Sequence, residues 1–144
     1  MAHDLNKDEH MRREVIMHSP VIAIVGRSND HYYTSYQVGE YLIQEGFTVY
    51  NVNPFVDDID GEEVYKSLKD LPEKIDIVDV FRNSDALPEV VQEAIDIGAK
   101  TVWAQLGVSN DDARLMALGA GLNYAENICL RTEHERLFKG LQQG

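Results

Sequence analysis

Four apolar runs in this chain end at polar or glycine-bearing corners: Val21-Ile22-Ala23-Ile24-Val25-Gly26-Arg27-Ser28, Val49-Tyr50-Asn51-Val52-Asn53-Pro54, Ile77-Val78-Asp79-Val80-Phe81-Arg82 and Thr101-Val102-Trp103-Ala104-Gln105-Leu106-Gly107. Gly26 would let a backbone approach closely, Asn53 and Gln105 carry amides, and Arg82 carries a planar fork that pairs with phosphate. Ligands of an open parallel α/β sheet bind in the crevice outside the carboxyl ends of the strands. The four corners are therefore expected to converge on one site for a small polar or anionic molecule.

Helices have to return the chain between those strands, and their stripes are legible. Over Ser35 to Glu45, Val38, Tyr41 and Leu42 fall at i, i+3, i+4, and Gly46 stands where a C′ residue would end the helix. That closes a first βαβ unit from Val21 to Val52. Residues Phe55 to Lys74 are polar and acidic, broken by Gly61 and Pro72; they read as a crossover of modest order with a short helical turn around Glu62 to Leu68. The third strand is expected at Ile75 to Val80. Asp85 is a candidate N-cap for a helix carrying Leu87, Val90, Val91, Ala94 and Ile95 on one face, closed by Gly98.

The fourth strand, Thr101 to Gln105, follows directly. Ser109 and Asp112 read as a weak capping box ahead of a small-residue face at Ala113, Met116, Ala117 and Ala120, bracketed by Gly119 and Gly121. A fifth strand is expected near Asn123 to Glu126. Thr132 and Glu135 read as a capping box for a last helix running to about Phe138, and Asp4 to Val15 as a polar N-terminal helix. The fold expected is α/β: one three-layer αβα domain at 20–144 with a mainly parallel five-stranded sheet, after a polar extension at 1–19.

Length and charge narrow the classes. At 144 residues the chain buries a sizeable core without a metal or disulfide staple. With 25 Asp+Glu against 13 Lys+Arg, the net charge of −12 repels a nucleic-acid duplex, and no basic stripe opposes it. A small anion is still admitted, because local N–H groups and one or two Arg dominate within a Debye length of ~8 Å. The single Cys129 makes no intrachain disulfide, and no run approaches the ~20 apolar residues needed to span a bilayer. Residues 1–20 lack the apolar segment of a secretory signal, so a reducing cytoplasm is the expected setting.

Which nucleotide the first corner suits is the sharper question. A dinucleotide fingerprint needs G-x-G-x-x-G between strand and helix and an acid after the second strand for the ribose diol. Here only Gly26 stands in that loop, and the second strand ends in Asn53-Pro54. An amide there does not repel a phosphate carried on the ribose.

The string Ile24-Val25-Gly26-x-Ser28, then Asn51-Val52-Asn53-Pro54, Val78-Asp79-Val80-Phe81-Arg82, Gly98-Ala99-Lys100-x-Val102-Trp103-x-Gln105-Leu106-Gly107-Val108 and Cys129-x-x-x-Glu133-His134 resembles the small stand-alone CoA-binding proteins, a Rossmann-like family. The resemblance runs from about Pro20 to Leu137. It extends to the CoA-binding domain of the succinyl-CoA synthetase α-subunit and of nucleoside-diphosphate-forming acyl-CoA synthetases. The family's loop after Gly-x-Ser usually carries an Arg where this chain has Tyr33. Arg27, in a position that is usually apolar, is the candidate replacement.

The resemblance implies coenzyme A or an acyl-CoA as ligand, bound without catalysis by a carrier, sensor or regulatory module. The Gly26, Arg27 and Ser28 corner and the Ser35 helix N-terminus would take the pyrophosphate. Arg82, after Phe81, would pair with a phosphate; Asn53 and Pro54 would border the adenosine, and Gln105 to Gly107 the opposite wall. Plainer readings stand beside these: Gly26 and Asn53-Pro54 as simple turns, Arg82 bridging Asp79 or Asp85, Trp103 as core, Cys129 and His134 as structural residues. A subunit working with a catalytic partner protein, a homo-oligomer and an NAD(P)-binding module are the other readings the sequence leaves open.

Overall fold

The computed structural model describes residues 2–140. Its strands are β1 (Val21–Val25), β2 (Thr48–Val52), β3 (Asp58–Ile59), β4 (Glu62–Tyr65), β5 (Ile77–Val80), β6 (Thr101–Ala104) and β7 (Asn123–Ala125), and its helices are α1 (Glu9–Met17), α2 (Thr34–Gln44), α3 (Leu87–Asp96), α4 (Asp111–Gly119) and α5 (Leu130–His134). They form a single seven-stranded sheet in the order β3-β4-β2-β1-β5-β6-β7, parallel except for the β3/β4 pair. The strand order reverses between β1 and β5, which makes the carboxyl ends of those two strands the place where a crevice opens.

Period-2 alternation splits the core into two layers. Ala23, Val25, Val78, Val80, Val102 and Ala104 face α3 and α4, meeting Leu87, Val90, Val91, Ala94, Ala113 and Ala117. Ile22, Ile24, Ile77 and Trp103 face the other way, toward Val15 and Ile16 of α1, Val38 and Leu42 of α2, and Leu130 of α5. Strands buried on both faces read as continuous apolar runs, which is why β1, β5 and β6 are visible in the sequence. Trp103 is core: it is fully buried and its indole N–H donates to the Ile128 carbonyl at 2.9 Å.

The sheet has seven strands where five are expected, and the difference lies in the crossover. Asp60 and Gly61 both take positive φ, 53° and 84°, and an Asp-Gly pair in that conformation turns a two-residue hairpin whose twist suits β3 and β4. Glu62 to Tyr65, expected as a helical turn, therefore forms β4 and pairs in parallel with β2 through Asn51↔Val64 and Val52↔Tyr65. The helical turn comes later and is 3-10, Leu68–Asp70.

Three caps also differ from expectation. Asn83, not Asp85, opens the helical segment, its side chain accepting from Ala86 N–H ahead of a 3-10 turn and α3. Asn110, not Ser109, caps α4 by accepting from Ala113 N–H at 3.0 Å. Thr132 lies inside α5, which starts at Leu130 and continues as a π-helical turn, Glu135–Lys139. An Asn side chain serves as well as Ser or Asp at an N-cap, so spacing alone did not separate the candidates.

The N-terminal segment forms a 3-10 turn at Leu5–Lys7 and then α1 from Glu9, and it packs on the domain. Leu5, Val15 and Ile16 are buried, Tyr124 N–H donates to the His3 carbonyl at the β7 edge, and Arg12 meets the buried Glu133 at 2.6 Å. Met1 and residues 141–144, the outer ends of the two predicted segments, lie outside the described residues. No helix among the described residues is long and apolar enough to cross a membrane.

Candidate functional site

At the reversal point the β1 and β5 corners press together. Gly26 N–H donates to the Val52 carbonyl at 2.7 Å and Phe81 N–H to the Val25 carbonyl at 2.8 Å. Gly26 has φ +89°, and a Cβ there would stand 2.4 Å from the Phe81 carbonyl oxygen. Only glycine fits. Outside these corners lies a cavity of about 530 Å³, within the size range of small-molecule sites.

The cavity takes Gly26 from the β1 corner, Tyr33, Thr34 and Ser35 from the start of α2, Phe81 and Arg82 from the β5 corner, Gln105, Leu106 and Val108 from the β6 corner, and Cys129 and Thr132 from the start of α5. Tyr33 is the N-cap of α2 but its side chain makes no capping bond, so the first-turn N–H groups are without a side-chain acceptor and their partial positive charge faces outward. Arg82 is exposed, and no ion pair joins it to Asp79 or Asp85 among the described residues.

Of the residues expected from the sequence, Gly26, Ser35, Phe81, Arg82 and Gln105 are brought together here. Ser28 lies beside it: its N–H donates to Ser35 Oγ at 2.9 Å, so that N–H is occupied, and its hydroxyl accepts from Asp30 N–H. The Asn53 amide is occupied as well, donating to the Arg27 carbonyl at 3.0 Å and accepting from Phe55 N–H, so Asn53-Pro54 is a turn, and neither residue lines the cavity. Gly107 is exposed at φ +85°, its N–H held by Asn127 Oδ1 at 2.7 Å.

Arg27 is not a second cation in the cavity. Its side chain is 0% exposed and runs beneath α2, where Nη1 donates to Asn51 Oδ1 at 2.8 Å and Nη2 donates to the Tyr36 carbonyl at 3.1 Å and to Glu40 Oε2 at 3.0 Å. Glu62 adds a carboxylate at 3.6 Å, and the guanidinium lies 4.9 Å from the Tyr36 ring centre. Gly39 makes the room, since a Cβ on it would stand 2.2 Å from Arg27 Nε. The Tyr33 departure thus goes uncompensated by Arg27, and Arg82 is the guanidinium that lines the cavity.

Tyr36 continues the network outward. Its hydroxyl donates to Asp60, His31 meets the other Asp60 oxygen at 2.9 Å, and the two rings stack at 4.2 Å. The Asp60 hydrogen bond, with burial, pushes the Tyr36 hydroxyl up to about 12. This clasp ties the loop that enters α2 to the β3–β4 turn.

Asp79, considered from sequence as a surface partner for Arg82, is fully buried instead. It shares the Ile77 face of β5, one Oδ1 bond from Gln105 Nε2 satisfies half of the carboxyl, and Oδ2 has no partner. Burial pushes its carboxyl from 3.8 up to about 7, with the Gln105 bond pulling the other way. A raised folded-state value means that Asp79 supports folding below pH 3.8 and that this support is lost as pH rises to about 7. The melting temperature of Asp79→Asn should therefore exceed that of the wild type by a margin that grows across that window and levels above it; a margin independent of pH would contradict a buried, titrating Asp79.

Leu106 lines the cavity as part of the expected Gln105 to Gly107 wall, whereas Thr34, Val108, Cys129 and Thr132 were not foreseen as lining. Cys129 and Thr132 arrive because α5 begins two residues earlier than its apparent capping box, and Asn127 at φ 56° turns the chain into it. The signal for Asp79 was present, a carboxylate in the middle of an apolar strand.

A family model described as the CoA binding domain matches residues 20–135. The uncharacterized protein YneT of Bacillus subtilis (strain 168) is 34% identical over 122 residues, spanning 85% of this chain and 90% of YneT. Among solved structures, a hypothetical protein from Pyrococcus horikoshii OT3 superposes with a TM-score of 0.89 at 36% identity, covering 95% of this chain and 97% of its own. The dinucleotide-forming acetyl-coenzyme A synthetase 1 of Ca. Korarchaeum cryptofilum, solved with phosphate and ADP, shares the fold at a TM-score of 0.69 and 24% identity, over 80% of this chain and 27% of the synthetase. A match over most of its length, carried through the strands and corners that build the cavity, makes this chain a member of the CoA binding domain family.

Proposed function

We propose that this protein binds coenzyme A or an acyl-CoA at the carboxyl edge of its sheet, without catalysis, as a carrier, sensor or regulatory module. The observation that carries this reading is the pairing, in one cavity at the β1/β5 reversal, of an α2 N-terminus without a side-chain cap and the exposed Arg82 guanidinium. Oriented N–H groups and a bidentate cation are the two devices that hold a diphosphate. Leu106, Val108 and Phe81 give the same cavity an apolar wall suited to a thin organic arm. Family membership supports the ligand class.

Arg82→Ala tests it. Losing a charge-assisted bond should weaken CoA binding by at least ~1.5 kcal/mol, about tenfold, in calorimetry while the melting temperature stays where it was. Unchanged affinity would remove Arg82 from the site. NAD(P) is the weaker ligand in this reading, because β2 ends at an amide engaged by Arg27 and Phe55 and offers no acid for a ribose diol. Saturable NADH binding without CoA binding would reverse that order.

A second reading, a subunit that works with a separate catalytic partner, draws on the synthetase of which this fold is about a quarter. Co-purification of the chain with a stoichiometric acyl-CoA-handling partner would favour it over a free-standing module.

A further inference from the structure

Asp79 is an unusual group to find under a binding cavity. It sits between Ile24 of β1 and Trp103 of β6 and points with Ile77 into the apolar layer beneath α1, α2 and α5. Its Oδ2 has no partner, and Oδ1 is held by the Gln105 amide alone. A buried carboxyl without a counterion is costly to keep ionised. Gln105, 3% exposed, is its link to the cavity, which it lines.

A glutamine amide is two-sided, and Asp79 decides which side faces where. An ionised carboxylate only accepts, so it takes the NH2 and leaves the carbonyl oxygen Oε1 for the cavity. Once protonated, the acid donates its O–H to Oε1, the amide turns over, and the NH2 faces the cavity instead. Among the described residues no protein donor reaches Oε1.

We propose that Asp79 is a positioning residue: ionised, it aims the Gln105 carbonyl into the cavity and selects a ligand that presents an N–H or O–H donor to that wall, as the amide groups of a pantetheine arm do. The ligand half of this inference rests on the proposed function. The orientation half does not.

The groups that titrate around this wall are few. Ile24 and Trp103 flank Asp79 in the sheet, Val38, Leu42 and Leu130 come from the helices over that face, and no charged side chain contributes to its titration, which burial and Gln105 set between them. The ionisable groups of the cavity itself are Arg82, Tyr33 and Cys129.

The test follows the Gln105 side-chain NH2 by 15N NMR in the ligand-free protein from pH 5.5 to 8.5, and CoA affinity by calorimetry over the same range, in the wild type and in Asp79→Asn. The Gln105 signals should move sigmoidally near neutral pH in the wild type and stay fixed in the variant. CoA affinity should rise about tenfold more with pH in the wild type than in the variant, a difference that cancels the titration of the ligand's own phosphate. Gln105→Met, which removes the amide and leaves Asp79, should lose the same excess and serves if Asp79→Asn folds poorly. Wild-type Gln105 signals that do not move overturn the inference whatever CoA does. Moving signals with measurable but equally pH-dependent CoA binding in wild type and variant overturn its ligand half. Moving signals with no CoA binding at any pH uphold the orientation and contradict the proposed function instead.

Discussion

Gly26→Ala is expected to destabilise the protein by about 3–4 kcal/mol and to abolish ligand binding in whatever fraction stays folded. Two costs add. At φ +89° an alanine is in backbone space that L residues avoid, worth about 1–2 kcal/mol, and its Cβ would stand 2.4 Å from the Phe81 carbonyl oxygen and 3.2 Å from the carbonyl carbon. Backbone cannot swing aside as a side-chain tip can, and overpacking of this kind costs about 1–3 kcal/mol. Relief would need the β1 and β5 corners to part, against the Phe81 N–H bond to the Val25 carbonyl. Gly46→Ala is the control: φ is +98° there too, but nothing lies within 4 Å of the added Cβ, so only the conformational cost remains, about 1–2 kcal/mol. Urea denaturation of both variants separates the two costs, and equal losses would show that the corner yields.

Arg27→Met should cost about 3 kcal/mol of stability and change ligand affinity less than threefold. Breaking a buried charge pair by removing one partner typically costs about 3–5 kcal/mol; the lower end applies because the Glu40 and Glu62 side chains are each 37% exposed and water screens what is left behind. Asn51 Oδ1 and the Tyr36 carbonyl would lose their donor in the interior. Nothing of this arrangement opens on the cavity. Arg27 and Arg82 should thus separate cleanly, the first in a melting curve and the second in a binding isotherm. A large loss of affinity in Arg27→Met at full folding would mean that the α2 N-terminus depends on the buried guanidinium.

How far the sequence revealed this follows from what each residue type announces. β1, β5 and β6 are buried on both faces, so their apolar runs and the corners after them could be read directly, and with them the convergence of Gly26, Phe81, Arg82 and Gln105. β3 at the sheet edge and β4 beside it are short and polar, and their signal is the turn, Asp60-Gly61, rather than any alternation. Arg27 looked like a phosphate ligand because a cation beside a glycine corner invites that reading. Its inward course depends on Gly39, one face of a helix away, and on carboxylates from α2 and β4 that only the fold brings together. Asn53 was read as a free amide for the same reason: its two partners, Arg27 and Phe55, are backbone groups, and backbone hydrogen bonding leaves no mark in composition.

Titrating 15N-labelled wild-type protein with CoA and following its amide resonances tests ligand and location together. Saturable shifts are expected to concentrate at Gly26, Thr34, Ser35, Arg82, Gln105 and Leu106, with far smaller changes for equal NAD or ATP. Saturable shifts centred elsewhere, for instance around Tyr41 and His134 on the far side of α2, or no response to CoA at millimolar concentration, would contradict it.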